Sequence, residues 1–273
     1  MAEITLIDGP MGTLLGQRGV DLTRPGWSAH ALRAFPEAVL SVHRDYARAG
    51  ATVHTANTFR TRQRDLGDDW QELTTVAVQL ARKATLNSHR VAASISPLAD
   101  CYRPDLSPPN PREEHKEFIQ YLASQTIDLF LVETFPSPKE ALVAVEECVS
   151  TSICTWLSLT AGPEADLLTP QDMRQTGREA VDRGIQGILV NCVDAQQSLP
   201  FVEAIAELGI PFGAYANAGP LTGGVGWGEH PEGPARYVAL ARSWIDAGAT
   251  LIGSCCGTGP HHIDALRRSL ITT

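Results

Sequence analysis

No run of lysine or arginine stands out in this 273-residue chain, and acidic residues outnumber basic ones 31 to 22. A sequence-independent grip on nucleic acid needs a concentrated positive face, so a nucleic-acid partner is not expected. No apolar stretch approaches the roughly 20 residues needed to cross a bilayer, so no membrane partner is expected either. The strand-like run Ile4-Thr5-Leu6-Ile7 begins almost at once, and no charged segment and apolar core of a signal peptide precede it. There are six cysteines, unevenly placed, too few for a disulfide scaffold in a chain of this size. A reduced, cytoplasmic protein is expected. Nor does any linker or shift in composition mark off a second domain, so residues 1–273 read as one unit. A hydrophobic fraction of 43% against 19% charged is that of a soluble globular chain with material for a sizeable core.

What is present is one theme repeated. A short strand, Ile4–Gly9, leads through an irregular stretch to Trp27. A helix follows over 36–50, with Pro36 at its start and Gly50 at its end. The pattern then predicts strands at 51–57, 91–95, 127–133, 152–159, 185–191, 211–216 and 249–252. Between and after them it predicts helices at 73–90, 113–125, 137–149, 171–183, 195–208 and 232–247, and a last helix through Leu270. A Pro-rich loop spans 97–111 and a Gly-rich loop 219–228. Most strands are continuous apolar runs, as expected when helices cover one face and a barrel interior the other. An open doubly wound sheet would carry a Gly-rich phosphate turn after strand one, and Asp8-Gly9-Pro10-Met11-Gly12 does not fit that fingerprint. Eight alternating units point to an α/β fold, a single-domain (β/α)8 TIM barrel.

In such a barrel the functional residues sit at the C-terminal ends of the strands. Asp8, Asn57, Glu133, Asn191, Cys192, Asn217, Cys255 and Cys256 fall there. Cys255 and Cys256 lie between glycines in Gly253-Ser254-Cys255-Cys256-Gly257, and neighbouring cysteines cannot form an ordinary disulfide. Cys192 ends the run Gly187-Ile188-Leu189-Val190-Asn191-Cys192, two strands away, so three sulfurs can converge at the barrel mouth. Three thiolates suit one Zn2+ ion with the fourth position open, the catalytic rather than the closed structural arrangement. Such an ion is a weak activator of water but well suited to holding a substrate thiol as thiolate, so thiol alkylation is implied. Each residue also has a plainer reading. Free cysteines are often buried packing residues, Asp8 could shape a corner, and Glu133 could pair with a neighbour. Asn57, Asn191 and Asn217 suit loop backbone as well as they suit substrate. His261 and His262, in the first turn of the last helix, read as capping or solvated residues. His43 and His54 read as structural, and Cys101 as incidental.

The segments Asp8-Gly9-Pro10-Met11-Gly12-Thr13, Ala56-Asn57-Thr58-Phe59, Val132-Glu133-Thr134, Val190-Asn191-Cys192 and Gly253–Thr258 together resemble the motif series of the homocysteine S-methyltransferase family, in order and over nearly the whole chain. That resemblance implies zinc on Cys192, Cys255 and Cys256, with homocysteine sulfur in the open position and methionine as product. It implies that Asp8 and Glu133 grip the substrate ammonium. It also implies that amides of the Gly9–Thr13 turn, including those of Gly9 and Met11, hold the carboxylate, with Asn191 nearby. Pro10, Ala56 and Ser254 depart from the residues usual in the family, and the loop after strand five is short. Proline has no N–H, so its amide contact is lost while Met11 and Gly12 can still donate. The chain has no room for cobalamin and folate modules, so a small onium compound, S-methylmethionine or S-adenosylmethionine, is the expected donor. Trp27, Phe59, Phe135 and Trp227 are candidates to face its positive charge. Two alternatives stand beside this reading: another thiol or selenol acceptor or a corrinoid partner as donor, and a redox or metal-binding protein using the vicinal cysteines.

Overall fold

Why the chain closes into a ring follows from its strand pairing. In the computed structural model, which describes residues 3–219 and 232–270, eight strands pair in the order β1-β8-β7-β6-β5-β4-β3-β2. They are β1 (Thr5–Leu6), β2 (Val53–Ala56), β3 (Arg90–Ile95), β4 (Leu129–Phe135), β5 (Cys154–Leu159), β6 (Gly187–Asp194), β7 (Phe212–Asn217) and β8 (Leu251–Ser254). Every pairing is parallel. A single parallel bridge, Ile7 to Val53, joins β1 to β2 and closes the sheet, with Asp8 N donating to Val53 O at 3.0 Å. The fold is the expected (β/α)8 barrel. Its interior is filled by Ile7, Val53, Leu129, Leu131, Trp156, Leu189, Tyr215 and Leu251, one layer apart from the larger cluster between sheet and helices. At β7 the neighbouring strand comes so close that a Cβ on Gly213 would stand 1.7 Å from Leu251 O, so only glycine fits.

The helices are α1 (Met11–Gln17), α2 (His30–Ala34), α3 (Pro36–Ala49), α4 (Gln63–Leu66), α5 (Trp70–Ala84), α6 (Arg112–Ala123), α7 (Pro138–Val149), α8 (Pro170–Arg183), α9 (Leu199–Ala206), α10 (Gly233–Asp246) and α11 (Pro260–Leu270). Their ends follow sequence signals. Pro36 starts α3 and Gly50, at φ +106°, stops it. Thr169 and Asp172 form a reciprocal capping box ahead of α8.

Several boundaries differ from expectation, each for a local reason. The helix expected over 73–90 ends at Ala84, because Thr85–His89 forms the turn into β3. The stretch read as irregular before Trp27 contains α1, and α2 follows shortly after Trp27; both are too short for periodicity to reveal. Strand six does not end at Cys192 but continues to Asp194, and strand four continues to Phe135; both carry bulges that an apolar-run reading cannot see. Trp227 and most of the Gly-rich loop lie outside the described residues. Among the described residues, no helix is long and apolar enough to cross a membrane.

Candidate metal and amino-acid site

The two bulges build the centre of the site. The registers of β4 and β6 slip between Val132 and Phe135 and between Asn191 and Asp194. Within them, Thr134 and Cys192 adopt φ of +63° and +53°. Left-handed backbone at a β-branched residue is unfavourable and persists only where surrounding contacts enforce it. Here those contacts run through Asn191. Its Nδ2 donates to Thr134 Oγ1 at 2.7 Å and to Cys192 Sγ at 3.3 Å. Its Oδ1 accepts from Thr134 N at 3.2 Å and from Ser158 Oγ at 2.8 Å. All four hydrogen-bonding positions of the amide are thereby used, and the side chain is fully buried. Asn191 therefore stands behind the cavity wall and fixes Cys192. Of the two roles the sequence left open for it, backbone support and substrate contact, these hydrogen bonds are of the first kind.

Cys192, Cys255 and Cys256 do converge, with all three sulfurs within 4.8 Å of one another. Cys192 Sγ and Cys255 Sγ are 2.8 Å apart. A tetrahedral ion with bonds of about 2.3 Å sets thiolate sulfurs roughly 3.8 Å apart, so the cluster admits such an ion by opening this pair by about 1 Å. The protons argue the same way. Three thiols this close cannot all ionise unaided. Hydrogen bonds from Cys192 and Cys255 hold the Cys256 thiol well below its usual value. For Cys192 the Cys255 contact pulls downward, but donation to Cys256 and burial prevail and raise it; hydrogen bonds with Cys192 and Cys256 raise Cys255. Three close thiols, one biased towards the thiolate and two towards the thiol, form a donor set that a soft divalent ion completes. Among the described residues, no histidine joins this cluster. His262 instead accepts from Gly259 N at 3.2 Å with its Nδ1, the capping role expected of it.

Beside the sulfurs lies a cavity of about 420 Å3. Asp8 and Glu133 both line it, only 4% and 8% exposed. Burial, opposed by hydrogen bonds from Thr55, pushes the Asp8 carboxyl up to about 8, and the Glu133 charge adds to the rise. Burial pushes Glu133 up to about 7 against hydrogen bonds from Ser94 and Tyr215. Asp8 Oδ2 accepts from Thr55 N at 2.9 Å, Glu133 Oε2 accepts from Tyr215 OH at 2.9 Å, and Ser94 Oγ donates to Glu133 Oε1. Neither carboxylate has an ion-pair partner among the described residues. Two buried acids on one cavity suit a cationic group such as an ammonium.

Gly9, Pro10, Met11, Gly12 and Thr13 line the same cavity. Pro10 is the residue before α1, and no side chain caps that helix. A Cβ on Gly9 would lie 2.7 Å from both Ser254 Oγ and Tyr46 OH, so this turn too requires glycine. Ser254 Oγ is buried with no hydrogen-bond partner among the described residues, on the cavity wall. Asn57 lines the cavity but spends its amide on Ser28, whose Oγ donates to Oδ1 at 2.7 Å and whose carbonyl accepts from Nδ2 at 2.9 Å. Asn217, at the end of β7, is outside the lining. Trp27 and Phe59 meet edge to face at 5.8 Å on the outer rim. Phe135 is not there: it is fully buried in the core against His115.

The loop 96–111 forms the roof. Arg62 donates to Ser96 O and Pro97 O, Arg64 to Leu98 O and Arg60 to Ala99 O, at 2.7–3.0 Å. From the other side Glu140 accepts from Leu98 N and Ser107 Oγ. So pinned, the loop brings Asp100, Cys101 and Tyr102 to the cavity. Cys101 is thus not incidental in position. Proximity to Cys192, with burial, pushes the Tyr102 phenol above its usual value. The sequence reading missed Ser94, Thr134, Tyr215, Tyr102 and Arg60. Ser94 and Thr134 sit at strand ends, where the barrel rule could have found them. Tyr215 looks like core and Arg60 like surface, and no local signal distinguishes either.

The sequence profile described as homocysteine S-methyltransferase matches residues 5–270. The chain belongs to the homocysteine S-methyltransferase family. It is 29% identical to "Homocysteine S-methyltransferase" of Escherichia coli K12 over 97% of this chain and 94% of that one. To "Homocysteine S-methyltransferase 1" of Brassica oleracea var. italica it is 28% identical, over 97% of this chain and 93% of that one. Among solved structures it resembles the metallated form of the E. coli homocysteine methyltransferase MmuM, with a TM-score of 0.79 and 26% identity over 98% and 96% of the two chains. The oxidised form of the same family member gives a TM-score of 0.81 at 27% identity over the same shares. The family is one of methyltransferases, and the motif resemblance read from the sequence is the one these comparisons return.

Proposed function

We propose that the chain moves a methyl group from a small onium donor to the thiol of homocysteine, giving methionine, and that Cys192, Cys255 and Cys256 hold one zinc ion for the purpose. The observation that carries this reading is the pairing of three convergent sulfurs with two buried carboxylates that lack a cation. Zinc at the sulfurs would depress the pKa of the substrate thiol and keep its sulfur nucleophilic near neutral pH. Asp8 and Glu133 take the ammonium, which supplies the missing positive charge and lets both acids ionise. Amides of the Gly9–Thr13 turn, Pro10 excepted, face the carboxylate. Asn191 and Thr134 hold Cys192 in the conformation the cluster requires. The homocysteine sulfur then attacks the methyl carbon in line. The new S–CH3 bond forms as the donor's bond to that carbon breaks, and the electron pair stays on the departing heteroatom. Holding the two reactants together supplies much of the acceleration. A cytoplasmic location belongs to the same reading, since thiols serve a metal only where they stay reduced.

Metal content and methionine formation test it together, on protein purified under reducing conditions and on Cys192→Ala. The expected result is about one zinc per chain in the wild type, with both metal and methionine formation lost in the variant. Full activity in metal-free protein would remove the cluster from the mechanism.

A further inference from the structure

Arg60 is the one basic side chain that lines the cavity among the described residues. Its guanidinium lies 5.5 Å from the centre of the Phe59 ring, so the face that could have met an onium donor is already covered by a cation. Nη2 holds Ala99 O at 3.0 Å. Its nearest carboxylate, Asp65, is 3.9 Å from Nη1, too far for a hydrogen bond, and Asp65 is already bound by Arg62 at 3.1 Å. Asp100, also on the cavity wall, accepts from Tyr102 N at 2.8 Å and forms no ion pair with Arg60. Two guanidinium groups thus share one acid. Arg60 is left with unused donors, clamped on a ring and only 19% exposed.

It also stands away from the inner carboxylates. It sits against Phe59 beside Trp27 and is bound to Ala99 O of the roof, whereas Glu133 is held by Ser94 and Tyr215 of the barrel strands. If homocysteine fills the inner end, with its sulfur at the cysteines and its ammonium at Asp8 and Glu133, Arg60 faces the second substrate.

We propose that Arg60 binds the carboxylate of the methyl donor, so that a donor carrying a carboxylate is favoured over the same donor without one. The geometry divides the donor's charges. With S-methylmethionine as that donor, its sulfonium and methyl group point inward to the sulfurs, and its carboxylate turns outward to a planar fork that can bind it in bidentate fashion. In the transfer, the sulfonium S–CH3 bond breaks with its electron pair going to the donor sulfur. S-methylmethionine then leaves as methionine, and homocysteine becomes a second methionine. The proton of the homocysteine thiol is released to solvent on binding. The inference rests on the homocysteine reading of the inner site.

The test compares zinc-loaded wild type with Arg60→Gln and Arg60→Lys, using S-methylmethionine and its decarboxylated counterpart, (3-aminopropyl)dimethylsulfonium. In the wild type kcat/KM should favour S-methylmethionine. In Arg60→Gln the preference should shrink roughly 10- to 100-fold, the value of a charged hydrogen-bonded pair, chiefly through donor KM, with Arg60→Lys intermediate. Homocysteine affinity, measured by calorimetry without donor, should stay within about twofold, which also reports that the roof is intact. An unchanged preference, or a rise in homocysteine Kd instead, overturns the assignment. Zinc and homocysteine binding without turnover of either sulfonium would refute the donor class while leaving the inner site standing. Absence of both bindings would refute the inner-site reading and this inference with it.

Discussion

Asp8 is buried where its charge weakens the folded protein, and Asp8→Asn should separate that cost from the proposed binding of a cation. Its carboxyl is raised from 3.8 to about 8 by burial. The unfolded chain ionises it above pH 3.8, while the folded chain keeps it protonated up to about 8. Between those values the native state binds the extra proton, so stability falls as pH rises. At about 1.4 kcal/mol per unit, the loss at pH 7 is about 4 kcal/mol, and at pH 5 about 2 kcal/mol. Asparagine has the same shape, can still accept from Thr55 N, and carries no charge to desolvate. Urea unfolding without homocysteine should therefore show Asp8→Asn more stable than wild type at pH 7, by up to about 4 kcal/mol, with the gap narrowing by about half at pH 5. Homocysteine binding should weaken roughly 10- to 100-fold in the same variant, because the ammonium loses a charged acceptor. A variant destabilised equally at both pH values would refute the reasoning and leave Asp8 as a hydrogen-bonding corner residue. Unchanged homocysteine affinity would remove it from the amino-acid site.

Two further perturbations follow from buried groups. His43 is fully buried with neither ring nitrogen hydrogen-bonded, and burial lowers it to about 4; His54, beside it, falls to about 3. Both stay neutral in the fold while the unfolded chain protonates near 6.5, so their contribution is whole above that pH and is lost as pH falls towards 4 and 3. The stability difference between wild type and His43→Leu should change by about 1.4 kcal/mol per pH unit from 6.5 to 4; a flat difference would show that His43 is not held neutral. Asn191→Ala should strand Thr134 N, Ser158 Oγ and the bulged Cys192, destabilising the protein by about 2–4 kcal/mol and lowering zinc affinity. Wild-type metal affinity in that variant would show that Cys192 holds its position without the amide.

Much of this molecule was legible in the chain. Strand and helix periodicity, with Pro36 and Gly50 marking helix ends, determined the barrel. The strand-end rule placed Asp8, Glu133, Cys192, Cys255 and Cys256 around one mouth. These are properties of local backbone preference and of alternating burial, which a sequence carries residue by residue. Tertiary structure alone decided the rest. That Cys192 reaches its partners depends on a bulge and a positive φ enforced by Asn191 across two strands. The raised pKa values of Asp8 and Glu133 depend on how deeply the walls bury them. Arg60 becomes a cavity residue only because its carboxylate neighbour is taken by Arg62 and the roof folds back over Phe59. Each of these is a relation between distant segments, set by burial and shared hydrogen bonds, and no single stretch of the chain encodes it.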